Sequence, residues 1–312
     1  MKAVVYNKKG SPNKLIYSDI DKPVPNDIEV LIKIVSVSAN AADYRSMRMG
    51  LIPKRRIFGA DIAGKVESVG NKIQRFKPGD EVMGDLAGCG FGGFAEYVVA
   101  PEKVLIHKPA KISFEDAASL PIAGITALQA LRNKGNIQKG QKALIVGSGG
   151  GVGTFAVQLA KYFGSVVTAV CGPNNIEQTK SLGADYVIDY TKEDFTRGKE
   201  RYDLILAVNG NYSLLACRRI LNPNGIYVMV GGALSQIFKS LLFGWLMSIG
   251  SKKIRSLAAK SDQNDLEFMA RLTEDDIIRP VIDRRYPLDK TADAMRYIGE
   301  GHAKGKVIIN VE

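Results

Sequence analysis

Cysteine and histidine are scarce, with 3 Cys and 2 His in 312 residues. Cys89, Cys171 and Cys217 are odd in number, widely spaced and free of any C-x-x-C pair, which excludes a disulfide framework or a structural zinc and points to a reducing compartment. Acidic side chains are outnumbered, 32 against 43 Lys and Arg, and the resulting +11 draws the chain toward phosphate-rich partners without naming one. The longest apolar run, residues 237–249, is broken by Lys239 and falls short of the roughly 18 to 20 residues that span a bilayer. The N-terminus reaches Lys8 and Lys9 after only a few apolar residues, so it has no signal-peptide core and reads as a first strand. A soluble, cytoplasmic protein is the expectation. Disorder is excluded by 46% hydrophobic residues, and the 32 Gly follow no collagen period, so they belong to turns or to loops that approach a phosphate.

What is present divides into three textures. Residues 29–39, EVLIKIVSVSA, alternate apolar and polar with one irregularity, as a half-buried strand does. Similar short runs at 63–69, 81–83 and 95–99, separated by turns such as Lys77-Pro78-Gly79-Asp80, predict a mostly β first domain over 1–120. From 121 to 264 the rhythm changes. Apolar runs at 143–147, 166–170, 186–188, 204–208 and 226–230 alternate with helix-like segments, which predicts an α/β unit with a parallel, doubly wound sheet. In the first of those segments Val152, Phe155, Ala156, Leu159, Ala160 and Phe163 share one helical face. The tail, 265–312, leaves that alternation with runs at 279–282 and 305–309, and is expected to rejoin the first domain.

The run 143–147 leads into Ser148-Gly149-Gly150-Gly151-Val152-Gly153 and then the amphipathic helix. This strand, tight turn and helix start form the context of a dinucleotide site: glycine admits the pyrophosphate to the backbone, and the free amides and dipole of the helix favour its charge. Ser148 stands where the fingerprint has its first glycine. At the end of the next strand Gly172, Asn174 and Asn175 precede the first acid, Glu177. A carboxylate there would repel a 2′-phosphate, so its absence favours NADPH while still admitting NADH.

Together with Asn40-x-x-Asp43, Gly59-Ala60-Asp61-Ile62-Ala63-Gly64, Lys77-Pro78-Gly79-Asp80-Glu81-Val82, Gly92-Gly93-Phe94-Ala95-Glu96-Tyr97, Ser181-Leu182-Gly183-Ala184-Asp185 and Gly301-His302-Ala303-Lys304-Gly305-Lys306, the glycine turn makes the chain resemble the medium-chain dehydrogenase/reductase superfamily. Within it, the chain looks like the zinc-free quinone oxidoreductase branch. The resemblance runs the whole length and implies a GroES-like catalytic domain interrupted by a Rossmann domain, with the active site in the cleft between them. Zinc-containing relatives place ligands at the positions of Asn40, Ala60 and Ile122, none of which is a good zinc donor here. Without a Lewis acid, simple alcohol oxidation is disfavoured, and acceptors already activated for hydride, quinones or α,β-unsaturated ketones, match better.

The resemblance also nominates residues. Asn40 is a candidate to hydrogen-bond ribose or substrate, with Asp43 structural; Tyr44 is a candidate proton donor or a packing residue; Arg45 would reach cofactor phosphates. Thr126 would lie by the nicotinamide ribose, Tyr190 by the adenosine phosphate, and Asn209, Gly231 and Gly232 beside the nicotinamide. Lys304 and Lys306 are further cofactor contacts implied by their motif. Enoyl-thioester reductases of the superfamily carry a tyrosine in Gly-x-Tyr-Pro, whereas this chain reads Gly50-Leu51-Ile52-Pro53, which argues against that mechanism.

A zinc-free alcohol or ketone reductase and an enoyl-thioester reductase are the alternatives within the superfamily. A different class, an NADPH-dependent RNA-binding protein, is motivated by +11, Lys54-Arg55-Arg56 and Lys252-Lys253, but no RNA-recognition motif or aromatic-basic interleaving accompanies them. A membrane-surface protein is motivated instead by Ile237-Phe238, Leu241-Leu242-Phe243 and Trp245-Leu246-Met247, with Lys252, Lys253 and Arg255 as a basic rim. DNA is not an expected partner. The apolar density of residues 238–249 predicts a covered surface, and with it a homodimer or a flap over the cleft.

Overall fold

The computed structural model describes residues 1–7, 10–208, 212–231 and 250–311. In chain order its elements are β1 (Lys2–Tyr6), β2 (Leu15–Asp19), β3 (Glu29–Ala39), α1 (Ala41–Arg48), β4 (Asp61–Val69), β5 (Glu81–Asp85), β6 (Tyr97–Pro101), β7 (Leu105–His107), α2 (Phe114–Ser119) and α3 (Pro121–Leu128). There follow β8 (Lys142–Val146), α4 (Gly151–Tyr162), β9 (Val166–Cys171), α5 (Ile176–Ser181), β10 (Tyr186–Asp189), β11 (Tyr202–Ala207), α6 (Leu214–Arg219), β12 (Leu221–Met229) and β13 (Lys253–Ser256). The chain ends with α7 (Gln263–Glu274), β14 (Ile282–Pro287), α8 (Thr291–Glu300) and β15 (Lys306–Asn310). Two compact units result, Met1–Ile125 with Ser261–Glu312, and Thr126–Lys260. These boundaries lie within five residues of the changes in sequence texture.

The first unit is built on a mixed sheet in the order β14-β15-β3-β4-β5-β7, with β6 also pairing β3 and a separate β1-β2 hairpin pair. β3 is its spine. The irregularity in its pattern is a real break in pairing, because the register with β4 shifts between Ile34 and Ser36, where two apolar residues stand side by side. Residues 95 and 96, expected in a strand, bond instead to β1, and β6 starts at Tyr97. The C-terminal segment is tied in at both ends. α7 is capped by Asp262, whose carboxylate accepts the Asp265 amide, and the Gln263 amide donates to the carbonyls of Glu102 and Leu105. β15 then pairs antiparallel with β3, burying Val307 and Ile309 in the same core as Ile32, Ile34 and Phe58.

The second unit is a parallel sheet in the order β10-β9-β8-β11-β12-β13. Its central strands β8, β9 and β11 are largely buried on both faces, which is why they read as mostly apolar runs, whereas the edge strands β10 and β13 are partly exposed. β8 is central, and the order reverses beside it, so the turn that leaves β8 opens at the switch point of the sheet. α4 buries Phe155, Ala156, Leu159 and Ala160 as its spacing predicts.

Candidate active site

The glycine turn in the second unit is shaped by close approaches. A Cβ on Gly153 would stand 2.1 Å from the Gly147 carbonyl oxygen, and one on Gly149 would stand 2.4 Å from Asn175 Nδ2. Both positions exclude a side chain for steric reasons. Gly150 is different: it is the N-cap of α4, brings no side chain to the first amides, and a Cβ there meets nothing within 4 Å. That open space in front of an uncapped helix start is what a pyrophosphate requires. Asn175 Oδ1 is buried without a hydrogen-bond partner beside this turn. The residues present therefore fit a dinucleotide.

Around the turn, the Gly147 and Ser148 amides both donate to the Val170 carbonyl, and Ser148 Oγ donates to the same oxygen at 3.2 Å. Ser148 is fully buried. Its expected direct contact with the cofactor is corrected on this ground, since the hydroxyl proton fastens the turn to β9. At the end of β9, Gly172 lies under Tyr190, whose hydroxyl would be 3.1 Å from a Cβ there, while Asn174 is exposed. Burial pushes the Cys171 thiol up, which gives it the character of an inert filler. Gly151 and Val152 are half-buried, Thr126 is nearly buried and Gly231 is buried; Asn209 and Gly232 lie outside the described residues, as does the 238–249 segment.

The first unit holds a cluster that the sequence reading assembled only in part. Asn40, Asp43, Asp61, Asp85 and Lys306 are all at most 6% exposed. Asn40 Nδ2 donates to the Ser38 carbonyl and to Asp61 Oδ2 at 3.0 Å, and Asn40 Oδ1 accepts from Lys306 Nζ at 2.7 Å. Lys306 Nζ also lies 3.5 Å from Asp61 Oδ2, and the Ile122 amide donates to Asp61 Oδ1. Asp43 accepts the Asn40 and Gly59 amides, closing the start of α1, and Asp85 accepts the Ala87 amide. Burial pushes Asp43 up to about 7 against the pull of those two amides. Burial likewise raises Asp61 to about 7, with the Lys306 ammonium opposing, and it raises Asp85. Lys306 is lowered by burial, with Asp61 opposing. The largest cause of each shift is the same: a dry interior disfavours the charged form.

Three expectations change here. Both donors of Asn40 are spent inside the fold, so the amide cannot donate to a ribose or substrate. Lys306 is buried in an ion pair and unavailable to a phosphate, while Lys304 is exposed and only its backbone amide is engaged, by Asp283. Tyr44 lays its ring and hydroxyl against Gly299 of α8, where a Cβ would be 2.5 Å from the ring. Packing, the plainer of its two readings, is what this contact provides. Arg45 is exposed on α1. Asp61 and Asp85 were missed as members of the cluster; the signal available was their place at the ends of apolar strands, where a carboxylate needs a partner.

The positions that hold zinc ligands in zinc-containing relatives are here an amide bonded to an ammonium, an alanine and an isoleucine, so an internal cation stands where a metal would need anionic or soft donors. The residues do not fit zinc.

Residues 26–110 match the alcohol dehydrogenase GroES-like domain family and residues 182–309 the zinc-binding dehydrogenase family. A chloroplast envelope quinone oxidoreductase homolog of Arabidopsis thaliana is 35% identical, covering 99% of this chain and 98% of its own. The chain belongs to the quinone oxidoreductase branch of the medium-chain dehydrogenase/reductase superfamily. It is an NAD(P)H-dependent oxidoreductase with a GroES-like and a Rossmann-type domain. The quinone oxidoreductase from Coxiella burnetii superposes with a TM-score of 0.91 at 30% identity, covering 100% of this chain and 99% of that one. An NADPH-dependent alkenal/one oxidoreductase of Arabidopsis thaliana, chloroplastic, is 31% identical over 99% of this chain and 79% of its own. The cytoplasmic expectation is corrected by these relatives, since two of the three are chloroplast proteins by name. Low cysteine content and a short apolar N-terminus do not distinguish a cytoplasmic protein from relatives of that kind.

Proposed function

We propose that this protein reduces quinones or α,β-unsaturated carbonyl compounds with NADPH, by direct hydride transfer and without zinc. The observation that supports it is the Lys306 ammonium held 2.7 Å from Asn40, which stands at the position of a zinc ligand in zinc-containing relatives. An alkoxide has no Lewis acid to stabilise it there, which favours acceptors that are electrophilic on their own. The relatives named for quinones and for alkenals and enones agree with this class.

The bound nicotinamide supplies the hydride. The amides at the start of α4 would hold the pyrophosphate, with Gly150 leaving the space. Gly172, Asn174 and Tyr190 would bind the adenosine ribose without a carboxylate among them, which would leave a 2′-phosphate unopposed. Asn40, Asp61 and Lys306 fix the start of α1 and exchange no proton with the acceptor. Hydride and one proton together give a hydroquinone or a saturated ketone, and with Tyr44 engaged in packing the proton comes from solvent. Gly50-Leu51-Ile52-Pro53 carries no acid at the tyrosine position of enoyl-thioester reductases. Steady-state oxidation of NADPH against quinones, enones, enoyl thioesters and alcohols tests the reading: the first two classes should turn over with far higher kcat/KM, and a preference for alcohols would overturn it.

A further inference from the structure

The segment between α1 and β4 presents apolar and basic groups together. Met49, Leu51 and Ile52 are 64%, 44% and 47% exposed. Around them Arg48, Lys54, Arg55 and Arg56 are exposed, and no Asp or Glu occurs from residue 44 to residue 60. None of these four cations has a carboxylate partner among the described residues; Arg55 reaches only the Val99 carbonyl, at 3.4 Å. The segment is nevertheless firmly held. Tyr6 donates its hydroxyl to the Met47 carbonyl and its amide to the Arg56 carbonyl, and Pro53, Ile57 and Phe58 are buried beneath. Three apolar side chains are thus held in water within a short segment that also carries four cations without a carboxylate partner among the described residues.

We propose that this segment is a docking surface for an anionic lipid membrane. Exposed apolar groups on a firmly held basic segment are suited to enter the headgroup boundary while the cations meet acidic headgroups. Nucleic acid is the weaker match to the same charge, because no exposed aromatic side chain stands among these residues to stack on a base. The contact is peripheral: among the described residues no helix is long and apolar enough to cross a membrane.

Sedimentation of the full chain with vesicles tests this surface. Phosphatidylcholine vesicles carrying about 30% phosphatidylserine should bind the protein, neutral vesicles should bind it at least tenfold less, and added salt should release it. Arg48→Glu with Lys54→Glu should weaken binding at least tenfold. Met49→Ser, Leu51→Ser and Ile52→Ser together should do the same while the charges remain. Both variants should keep the wild-type circular dichroism. Equal binding to neutral and anionic vesicles, no binding at low salt, or indifference to both sets of substitutions would overturn the proposal. So would tighter binding to single-stranded RNA than to vesicles that falls with the charge reversals and ignores the serine substitutions.

Discussion

Replacing Lys306 by Met isolates the electrostatics of the buried cluster, because the two side chains are similar in length and the change removes mainly the ammonium. Asn40 Oδ1 loses its donor and Asp61 its cation. In the wild type, burial raises Asp61 to about 7 while Lys306 holds it back; in the variant only the hydrogen bonds from Asn40 and the Ile122 amide still oppose burial, and the carboxyl keeps its proton to higher pH. A carboxyl raised in the native state binds more protons there than in the unfolded chain, so stability falls as pH rises from the unfolded value toward the native one. The wild type stops losing stability through Asp61 near pH 7, whereas the variant continues, at about 1.4 kcal/mol for each pH unit. At about pH 6, with Asp61 protonated in both proteins, the substitution should cost about 1 kcal/mol for the unmade bond to Asn40. At about pH 8.5 it should cost about 2 kcal/mol more, from roughly 1.5 units of additional proton retention. Urea unfolding followed by circular dichroism at the two pH values gives both numbers. A loss that is the same at both would mean that Lys306 acts by packing alone, and the charge argument would fail. NADPH affinity measured on the folded variant at about pH 6 should stay within twofold of wild type, since the ammonium is buried away from any phosphate.

Gly153→Val would drive a side chain into the Gly147 carbonyl, so it should weaken NADPH binding at least tenfold in a fluorescence titration and destabilise the fold by about 2 kcal/mol. Gly172→Asp has ordinary backbone geometry, φ −80°, and should lower the NADPH to NADH ratio of kcat/KM at least tenfold, about 1.4 kcal/mol; an unchanged ratio would place the 2′-phosphate elsewhere. Tyr44→Phe keeps the ring on Gly299 and should leave kcat within twofold, whereas a loss of a hundredfold would restore the hydroxyl as proton donor.

Much of the fold was readable because local pattern and burial coincide. β8, β9 and β11 carry mostly apolar runs since both their faces are covered, and the α4 face follows from its spacing. β2 and β14 were not readable: LIYSD and IDRRYP are half exposed and offer no alternation, so pairing with β1 and β15 decides them. In the site, the glycine turn was legible from residue type alone, because its constraints act within a few residues. The fate of Asn40, Lys306 and Tyr44 was not. Each is fixed by a partner far away in sequence, Lys306 for Asn40 and Gly299 for Tyr44, and a motif carries no information about whether its donors are already spent.

Deuterium tracing with metal-stripped protein tests the central claim most directly. NADPH labelled at C4 with deuterium on the transferable face is incubated with an α,β-unsaturated ketone after dialysis against a chelator, and the product is examined by mass spectrometry and NMR. Direct metal-free hydride transfer predicts undiminished turnover and one deuterium on the β-carbon of the saturated ketone. Turnover that disappears on metal removal and returns with zinc, or a product without the label, would contradict it.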